Sequence, residues 1–269
     1  MNDIETILKQ FKSGNISLED AIKNLRLFSL NYIEGGVTLD EGRHVRKGIP
    51  EVIFAERKPI ETLKRIIKSH LQNNQSLLLS RVFNDHLAML KKEFSNQFDI
   101  QVSPSFEPYS VLLKTRDFEF EYFSSKIGIL TAGTSDLPIA EEAKAIAKLM
   151  GVEAVQFHDV GIAGVHRLFE PLRKLVEEDV KAIVVVAGME GALPAVVSSL
   201  VDIPVIGVPC STGYGYGGKG VGALMTMLQT CSPGLVVVNI DNGINAGATA
   251  ALIAKQAEKS SSNTKNLSN

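Results

Sequence analysis

The sequence predicts an α/β fold, with an open sheet of parallel strands in the second half of the chain and a smaller α+β domain before it. From residue 127 onward, short apolar runs alternate with stretches of helical periodicity. This alternation is typical of parallel strands joined by right-handed helical crossovers. Each run is followed by a glycine-containing cluster with polar side chains. Because the carboxyl ends of parallel strands meet at one sheet edge, the clusters predict a site for an anionic, nucleotide-like ligand there.

Strands and helices are predicted in turn along the second half of the chain. The apolar runs place strands at residues 127–131, 154–157, 182–187, 204–208 and 235–239. Helical periodicity places helices at residues 137–149, 164–176, 192–200, 219–229 and 246–258. Residues 127–258 are therefore predicted to form the catalytic domain, and the polar segment 259–269 is predicted to be a disordered tail.

The first half of the chain carries a weaker pattern, which predicts an α+β domain over residues 1–126. Residues 1–28 are predicted to be helical, and Ser17 to Asp20 supply capping chemistry for a second helix. Gly35-Gly36 then interrupts the chain. Strands are predicted at residues 52–54, 77–80, 100–103 and 109–113, with one helix at 59–70 and another between the second and third of these strands. We place the boundary between the domains near residues 122–126.

Composition argues against several classes of function. The formal net charge is −2, which disfavours charge-driven binding to nucleic acid or to membrane surfaces. No run approaches the ~20 apolar residues needed to span a bilayer, and residues 1–6 lack the features of a signal peptide. Cys210 and Cys231 are too few for a disulfide framework, and we expect both to be reduced. We therefore expect a cytoplasmic protein without a nucleic-acid or membrane partner.

Two glycine-containing loops are predicted to hold phosphates. Residues 133–136 follow the first strand of the sheet and precede a helix, and residues 213–218 follow the fourth strand. Backbone N–H groups at a helix N-terminus and nearby hydroxyl groups are suitable donors to an anion. The alternative for the first loop is that Asp136 only caps the helix that it precedes.

Charged side chains follow two further strands. His166 and Arg167 begin a helix shortly after Asp159, and a guanidinium there can bind two oxygens of a phosphate or carboxylate. Alternatively, Arg167 forms a surface ion pair with Glu170. Glu190 follows the most apolar strand, where a carboxylate is costly unless it is paired, near solvent or functional. The alternative for Glu190 is a cap of the next helix.

The two cysteines differ in position along the chain. Cys210 follows Pro209 at a strand end within the glycine-rich loop, whereas Cys231 lies between a helix and the last strand. Free cysteines are commonly unreactive core residues, so this is the more frequent interpretation for either cysteine taken alone. Position alone favours Cys210 as the reactive one.

Several motifs resemble the PurE superfamily of aminoimidazole ribonucleotide (AIR) carboxylases. These are Ala187-Gly-Met-Glu-Gly-Ala-Leu-Pro194, Pro204-Val-Ile-Gly-Val-Pro209, Ser135-Asp136 and His166-Arg167. The chain departs from that pattern at Met189, Glu190 and Ala192, where PurE proteins have small residues and a histidine, and PurE lacks a domain like residues 1–126. The resemblance implies a PurE-like sheet of the flavodoxin or Rossmann type and a homo-oligomer, an octamer in that superfamily.

A resemblance to the LarB family, the pyridinium-3,5-biscarboxylic acid mononucleotide synthases of nickel-pincer nucleotide biosynthesis, covers nearly the whole chain. The matching motifs are Arg43-x-x-Arg46-x-Gly48-Ile-Pro50-Glu51, Thr131-Ala-Gly-Thr134, Asp159-Val-Gly-Ile-Ala-Gly-Val-His166-Arg167-Leu168, Gly188-Met-Glu-Gly-Ala-Leu193 and Val238-Asn-Ile-Asp-Asn-Gly243. It implies carboxylation of the pyridinium ring of nicotinic acid adenine dinucleotide (NaAD), with CO₂ or bicarbonate as co-substrate, and phosphoanhydride cleavage that releases AMP. It also implies that the reactive cysteine is Cys231, which reverses the choice made on position.

The candidate catalytic residues are then Cys231 as nucleophile and Glu190 or His166 as the base that removes a ring proton. Substrate contacts are expected from Gly133, Thr134, Ser135, Asp136, Asp159, Arg167, Gly188, Met189, Gly191, Thr212, Gly213, Tyr214 and Gly215. No tightly bound cofactor is expected. Mg²⁺ could bridge phosphate oxygens through Asp136, Asp159 or Asp241, although no sequence motif fixes the ligands.

Two other functions are compatible with the sequence. One is PurE-like carboxylase or mutase chemistry on an aminoimidazole ribonucleotide, which needs no thiol. The other is a non-enzymatic regulator that binds adenine nucleotides, with residues 1–126 as a partner-binding module. The sequence also leaves open the role of residues 43–51, the choice between NaAD and NAD, and the group that activates the phosphoanhydride for hydrolysis.

Overall fold

The first half of the chain folds around a four-stranded mixed sheet. The computed structural model describes residues 4–26, 30–33, 37–40, 43–73 and 75–267. The elements of this half are α1 Ile4–Lys12, α2 Leu18–Arg26, β1 Leu30–Ile33, β2 Val37–Asp40, α3 Arg43–Lys47, β3 Val52–Phe54, α4 Ile60–Asn73, β4 Ser76–Val82, α5 Asn84–Phe94, β5 Asp99–Val102 and β6 Tyr109–Lys114. The sheet order is β3-β4-β6-β5, parallel between β3 and β4 and antiparallel elsewhere. Strands β1 and β2 form a separate antiparallel pair.

The second half forms a five-stranded parallel sheet. Its elements are β7 Lys126–Thr131, α6 Leu137–Leu149, β8 Glu153–Phe157, α7 His166–Glu177, β9 Ile183–Ala187, α8 Leu193–Ser198, β10 Val205–Pro209, α9 Val221–Leu228, β11 Leu235–Val237 and α10 Gly243–Leu267. Short 3₁₀ turns at Thr134–Asp136 and Ile162–Gly164 precede α6 and α7. The sheet order is β11-β10-β9-β7-β8, and all neighbouring strands are parallel. The predicted α/β fold is therefore confirmed.

The strand order reverses beside β7. The chain passes from β7 outward to β8 and then returns to β9 on the other side of β7. At such a switch point the two following loops diverge and leave a crevice at the carboxyl edge of the sheet. Any ligand site that this topology creates lies between the loops that follow β7 and β9.

Helices cover both faces of the parallel sheet, which explains its continuous apolar strands. Val184 and Val186 of β9 face α6 and α10, whereas Ile183 and Val185 face α7, α8 and α9. Helix α10 packs so closely against α6 that a Cβ at Gly247 would lie 2.3 Å from the carbonyl oxygen of Ala143. The close packing thus depends on the missing side chain at this position.

The sheet of the first half packs on the same α6–α10 layer. Leu78 of β4 and Leu112 of β6 belong to the same apolar core as α6 and α10. The hydroxyl group of Ser80 donates a 2.5 Å hydrogen bond to Oε1 of the buried Glu142 on α6. Helix α6 therefore contacts both sheets and begins directly beside the switch point.

Several local predictions differ from the structure. Helix α10 continues through Leu267 instead of ending at residue 258 before a disordered tail, because residues 259–267 contain no glycine or proline to end it. Strand β11 ends at Val237 rather than at residue 239, since it is an edge strand with a partner on one side only. Gly35-Gly36 lies outside the described residues. No described helix is long and apolar enough to cross a membrane.

Residues 43–51 form a charged network that lies away from the switch point. The Arg46 guanidinium donates two hydrogen bonds to Asp40, and Nε of Arg43 lies 3.0 Å from the Glu51 carboxylate. A Cβ at Gly48, whose φ is +66°, would lie 3.7 Å from Leu252 of α10. In the structure this segment holds its own turn together and contacts α10.

Candidate active site

A cavity of about 440 Å³ opens at the switch point, between the loops that follow β7, β8, β9 and β10. The predicted site residues that line it are Gly133, Ser135, Asp136, Gly188, Met189, Glu190, Thr212 and Tyr214. Predicted residues outside its lining are Thr134, Asp159, His166, Arg167, Gly191, Gly213, Gly215 and Cys231. The structure therefore brings together predicted residues from three separate loops into one cavity.

Asp136 joins two of these loops across the cavity wall. Its side chain is 2% exposed, Oδ2 accepts a 2.9 Å hydrogen bond from the backbone of Gly133, and Oδ1 accepts a 3.0 Å hydrogen bond from the hydroxyl of Thr212. Burial raises the pKa of Asp136, and these two hydrogen bonds oppose the increase. Asp136 makes no side-chain capping hydrogen bond to α6. Its carboxylate therefore organises the loops rather than the helix end.

The loops after β9 and β10 approach each other closely. A Cβ at Gly188 would lie 2.7 Å from Oγ1 of Thr212, and one at Gly213 would lie 2.8 Å from the backbone nitrogen of Met189. Both positions therefore require glycine. The resulting tight turn leaves Glu190 exposed at the cavity, where solvation avoids the cost of a buried carboxylate.

The loop after β8 carries an ion pair beside the cavity. Nη1 of Arg167 donates a 2.6 Å hydrogen bond to Oδ2 of Asp159. The alternative pair with Glu170 is wrong, because Glu170 contacts Arg173 and Lys174 instead. Asp159 thus holds the guanidinium on the loop whose residues 161–163 line the cavity, which is a suitable arrangement for a group that binds an anion.

His158 and His166 lie in different surroundings. His158 Nδ1 is 3.4 Å from the hydroxyl of Thr131, and burial lowers the pKa of this imidazole. His166 is the first residue of α7 and is exposed outside the cavity lining. A base at His166 therefore requires a ligand that extends beyond the cavity.

The two cysteines occupy opposite edges of the parallel sheet. Cys210, at the carboxyl end of β10, is fully buried, and burial together with nearby Asp136 raises the pKa of its thiol far above the ordinary value. Cys231 is exposed and precedes β11, so it lies at the amino edge. Five-residue strands separate these edges by roughly 16 Å at about 3.3 Å per residue. Within one chain, Cys231 is therefore remote from the cavity.

The three aspartates considered for Mg²⁺ are engaged separately. Asp136 and Asp159 accept the hydrogen bonds described above, and Oδ1 of Asp241 accepts one of 2.8 Å from the backbone of Ser211. Within the described part of the chain, no group of three or more histidine, cysteine, aspartate or glutamate residues could hold a metal ion.

Sequence reasoning missed Arg81, which connects the two halves of the chain. This residue of β4 has a φ of +55°, and its guanidinium donates to the carbonyl oxygen of Asp241 at 2.9 Å and to Glu56 at 3.0 Å. Nothing in the sequence around Arg81 indicates a partner 160 positions away. Only the packing of the first sheet against α6 brings them together.

Comparisons with known proteins agree with this architecture. The chain matches the AIR carboxylase family over residues 126–267 and the LarB/PurE-like N-terminal domain over residues 33–103. An uncharacterized protein of Methanocaldococcus jannaschii is 44% identical over 94% of this chain and 97% of the relative. N5-carboxyaminoimidazole ribonucleotide mutases of Thermotoga maritima and Methanocaldococcus jannaschii are 32% and 38% identical, each over 48% of this chain and over 74% and 75% of their own lengths. The chain therefore belongs to the AIR carboxylase family and combines that domain with a LarB/PurE-like N-terminal domain.

Proposed function

We propose that the protein carboxylates carbon 5 of the pyridinium ring of NaAD and hydrolyses the phosphoanhydride. The products are pyridinium-3,5-biscarboxylic acid mononucleotide, a precursor of the nickel-pincer nucleotide, and AMP. The observation that carries the proposal is the combination of an AIR carboxylase domain with a LarB/PurE-like N-terminal domain in one chain. The mutase relatives align with only 48% of the chain, so the first half points away from simple mutase chemistry.

The proposed chemistry begins with a thiolate because the pyridinium ring is too electron-poor to attack CO₂. Addition of the Cys231 thiolate to carbon 4 gives a dihydropyridine, in which carbon 5 is nucleophilic and forms a bond to CO₂. A base then removes the proton from carbon 5, and expulsion of the thiolate restores the aromatic ring. Covalent catalysis thus replaces one inaccessible step with feasible ones.

The residues around the cavity suit the remaining tasks. Glu190 lines the cavity, whereas His166 lies outside the lining. We therefore favour Glu190 over His166 as the base. The loop at Gly133 and Ser135 offers donors for the phosphate next to the pyridinium ribose. Arg167, held by Asp159 on the loop after β8, is our candidate for binding the carboxylate of the pyridinium half. Water attack on the phosphoanhydride then leaves one phosphate on each product.

The position of Cys231 implies that a second copy of the chain completes the site. Cys231 lies at the sheet edge opposite the cavity, so the thiol of one chain must serve the cavity of another. Beside it, α9 exposes Val221, Met225 and Leu228, which lie on one helical face. Such an exposed apolar face is typical of a protein–protein contact. We therefore propose a homo-oligomer, and the PurE resemblance implies an octamer.

The runner-up function is PurE-like carboxylase or mutase activity on an aminoimidazole ribonucleotide. It is favoured by the mutase relatives of the second half of the chain. One assay separates the two functions. The purified protein is incubated with bicarbonate and either NaAD or aminoimidazole ribonucleotide, and products are identified by mass spectrometry and ultraviolet absorbance. We expect carboxylated mononucleotide and AMP from NaAD. A product formed from aminoimidazole ribonucleotide but not from NaAD would replace our proposal with the runner-up.

A further inference from the structure

A second cavity lies between the two halves of the chain, next to the one at the switch point. Its volume is about 290 Å³, and it shares Ser135 and Thr212 with the first cavity. The first half contributes Arg81 and Phe83 and the segment Phe106 to Pro108, whereas the second half contributes the start of α6 and the loops after β10 and β11. The two cavities therefore lie on either side of a common wall of hydroxyl-bearing residues.

The lining of this interdomain cavity is apolar and acidic. Phe83, Phe106 and Pro108 provide flat apolar surfaces. Glu56, Glu107 and Asp241 also line it. One oxygen of each carboxylate accepts a hydrogen bond within the protein, from Arg81, the backbone of Asn84 and the backbone of Ser211 respectively, which leaves the second oxygen of each for a ligand.

The charges in the interdomain cavity disfavour a phosphate. Its cationic group, Arg81, is held by Glu56 at 3.0 Å and by the carbonyl oxygen of Asp241 at 2.9 Å. A cavity with apolar faces and carboxylate acceptors suits a neutral heterocycle that carries an amino group, since a ring stacks on aromatic side chains and an amino group donates to carboxylates.

We infer that the interdomain cavity binds the adenosine half of the dinucleotide, while the switch-point cavity binds the pyridinium half. This inference rests on the proposed function and extends it. The shared wall of Ser135 and Thr212 then lies beneath the phosphates that connect the two halves. A volume of about 290 Å³ is at the lower limit of ligand cavities, roughly 300–1,000 Å³, and suits one nucleoside rather than a whole dinucleotide. The N-terminal domain would thus supply part of the substrate site.

The test measures the binding of AMP, NaAD and nicotinic acid mononucleotide by calorimetry to the intact protein. The variant is Phe106→Ala, because Phe106 is 49% exposed and its truncation spares the core. Phe106→Tyr keeps the ring. Tyr122→Ala is the matched control, since Tyr122 is 76% exposed and outside both cavities.

We expect Phe106→Ala to weaken the binding of AMP and of NaAD by about tenfold or more, as loss of aromatic stacking on a base does. Mononucleotide binding should not change, and Phe106→Tyr and Tyr122→Ala should resemble the wild type.

Each contrary result has its own meaning. Equal affinity of the wild type for NaAD and the mononucleotide, or unchanged AMP binding in Phe106→Ala, would overturn the inference. A parallel loss of mononucleotide binding in Phe106→Ala would overturn it as well, because the effect would then not be confined to the adenosine half. AMP binding that depends on Phe106, in a protein that does not carboxylate NaAD, would support the adenosine cavity and refute the proposed function.

Discussion

The hydroxyl group of Thr212 donates a 3.0 Å hydrogen bond to Oδ1 of Asp136 and thereby joins the loop after β10 to the loop after β7. Asp136 is almost completely buried, and its other oxygen accepts from Gly133. The contact stands between the two cavities, because Thr212 lines both of them. The shape of the candidate site therefore depends on a buried carboxylate that is fixed by its donors.

Replacement of Thr212 by valine should destabilise the fold, because valine keeps the shape of threonine but cannot donate to Asp136. Loss of a donor to a buried charged group costs about 1–3 kcal/mol. The free energy of unfolding, measured by urea denaturation, should fall by about that amount. Ser199→Ala is the control, since its hydroxyl bonds only the backbone of Val196 at an exposed helix end. An equal, small effect of both substitutions would contradict the role assigned to Thr212.

Arg167→Lys should weaken substrate binding without loss of the fold, because lysine cannot hold Asp159 and also present a planar fork to a substrate carboxylate. A hydrogen bond to a charged group is worth about 1.5–3 kcal/mol, so we expect KM for NaAD to rise by about tenfold or more. Arg173→Lys is the matched control on the same helix, where Arg173 contacts Glu170 and Glu177 on the surface. If the two variants have the same KM, Arg167 does not bind the substrate.

Glu142 should make stability depend on pH. Burial raises the pKa of Glu142 from 4.5 to about 7, although Ser80 and Arg81 partly oppose this. Because the folded state binds the proton more tightly than the unfolded chain, this stability is fully present below pH 4.5 and is lost as the pH rises through about 7. At 1.36 kcal/mol per pKa unit, the loss is about 3 kcal/mol.

The check compares the free energy of unfolding at pH 5 and pH 8 for the wild type and Glu142→Gln. The amide is uncharged at both values, so the variant should lose about 2.5 kcal/mol less stability across this range. Ser199→Ala, an exposed substitution without a titratable group, is the control and should retain the wild-type dependence. Parallel curves for the wild type and Glu142→Gln would show that Glu142 does not titrate in this range.

The fold and the cavity could be predicted from the sequence, whereas the contacts that connect the two halves of the chain could not. The strands were predictable because burial on both faces produces unbroken apolar runs such as β9, and the loops were predictable because parallel strands end at one edge. Contacts such as Ser80 to Glu142 join residues 62 positions apart, and no local pattern specifies them. Likewise, the separation of Cys231 from the cavity depends on strand direction, which a motif match alone does not give.

The two cysteines should differ sharply in their effect on activity. Cys231→Ser should abolish carboxylation of NaAD because a hydroxyl group is a far weaker nucleophile than a thiolate. Cys210→Ser should spare it, since Cys210 is buried and its raised thiol pKa keeps it protonated. Product formation is followed by mass spectrometry, and an adduct on Cys231 is sought by intact-mass measurement. Comparable activity of the two variants would refute the role of Cys231.

A mixing experiment tests whether the thiol and the cavity come from different chains. Cys231→Ser and Glu190→Gln should each be inactive alone, because one lacks the nucleophile and the other the base. If chains are co-expressed in equal amounts and assemble at random, about a quarter of the sites combine an intact cavity with an intact thiol from a neighbour. Activity should therefore return to about a quarter of the wild-type value. Co-expressed chains that remain inactive, although they form mixed oligomers by native mass spectrometry, would show that each chain uses its own Cys231. In that case β11 and the preceding loop would have to move across the sheet edge for catalysis.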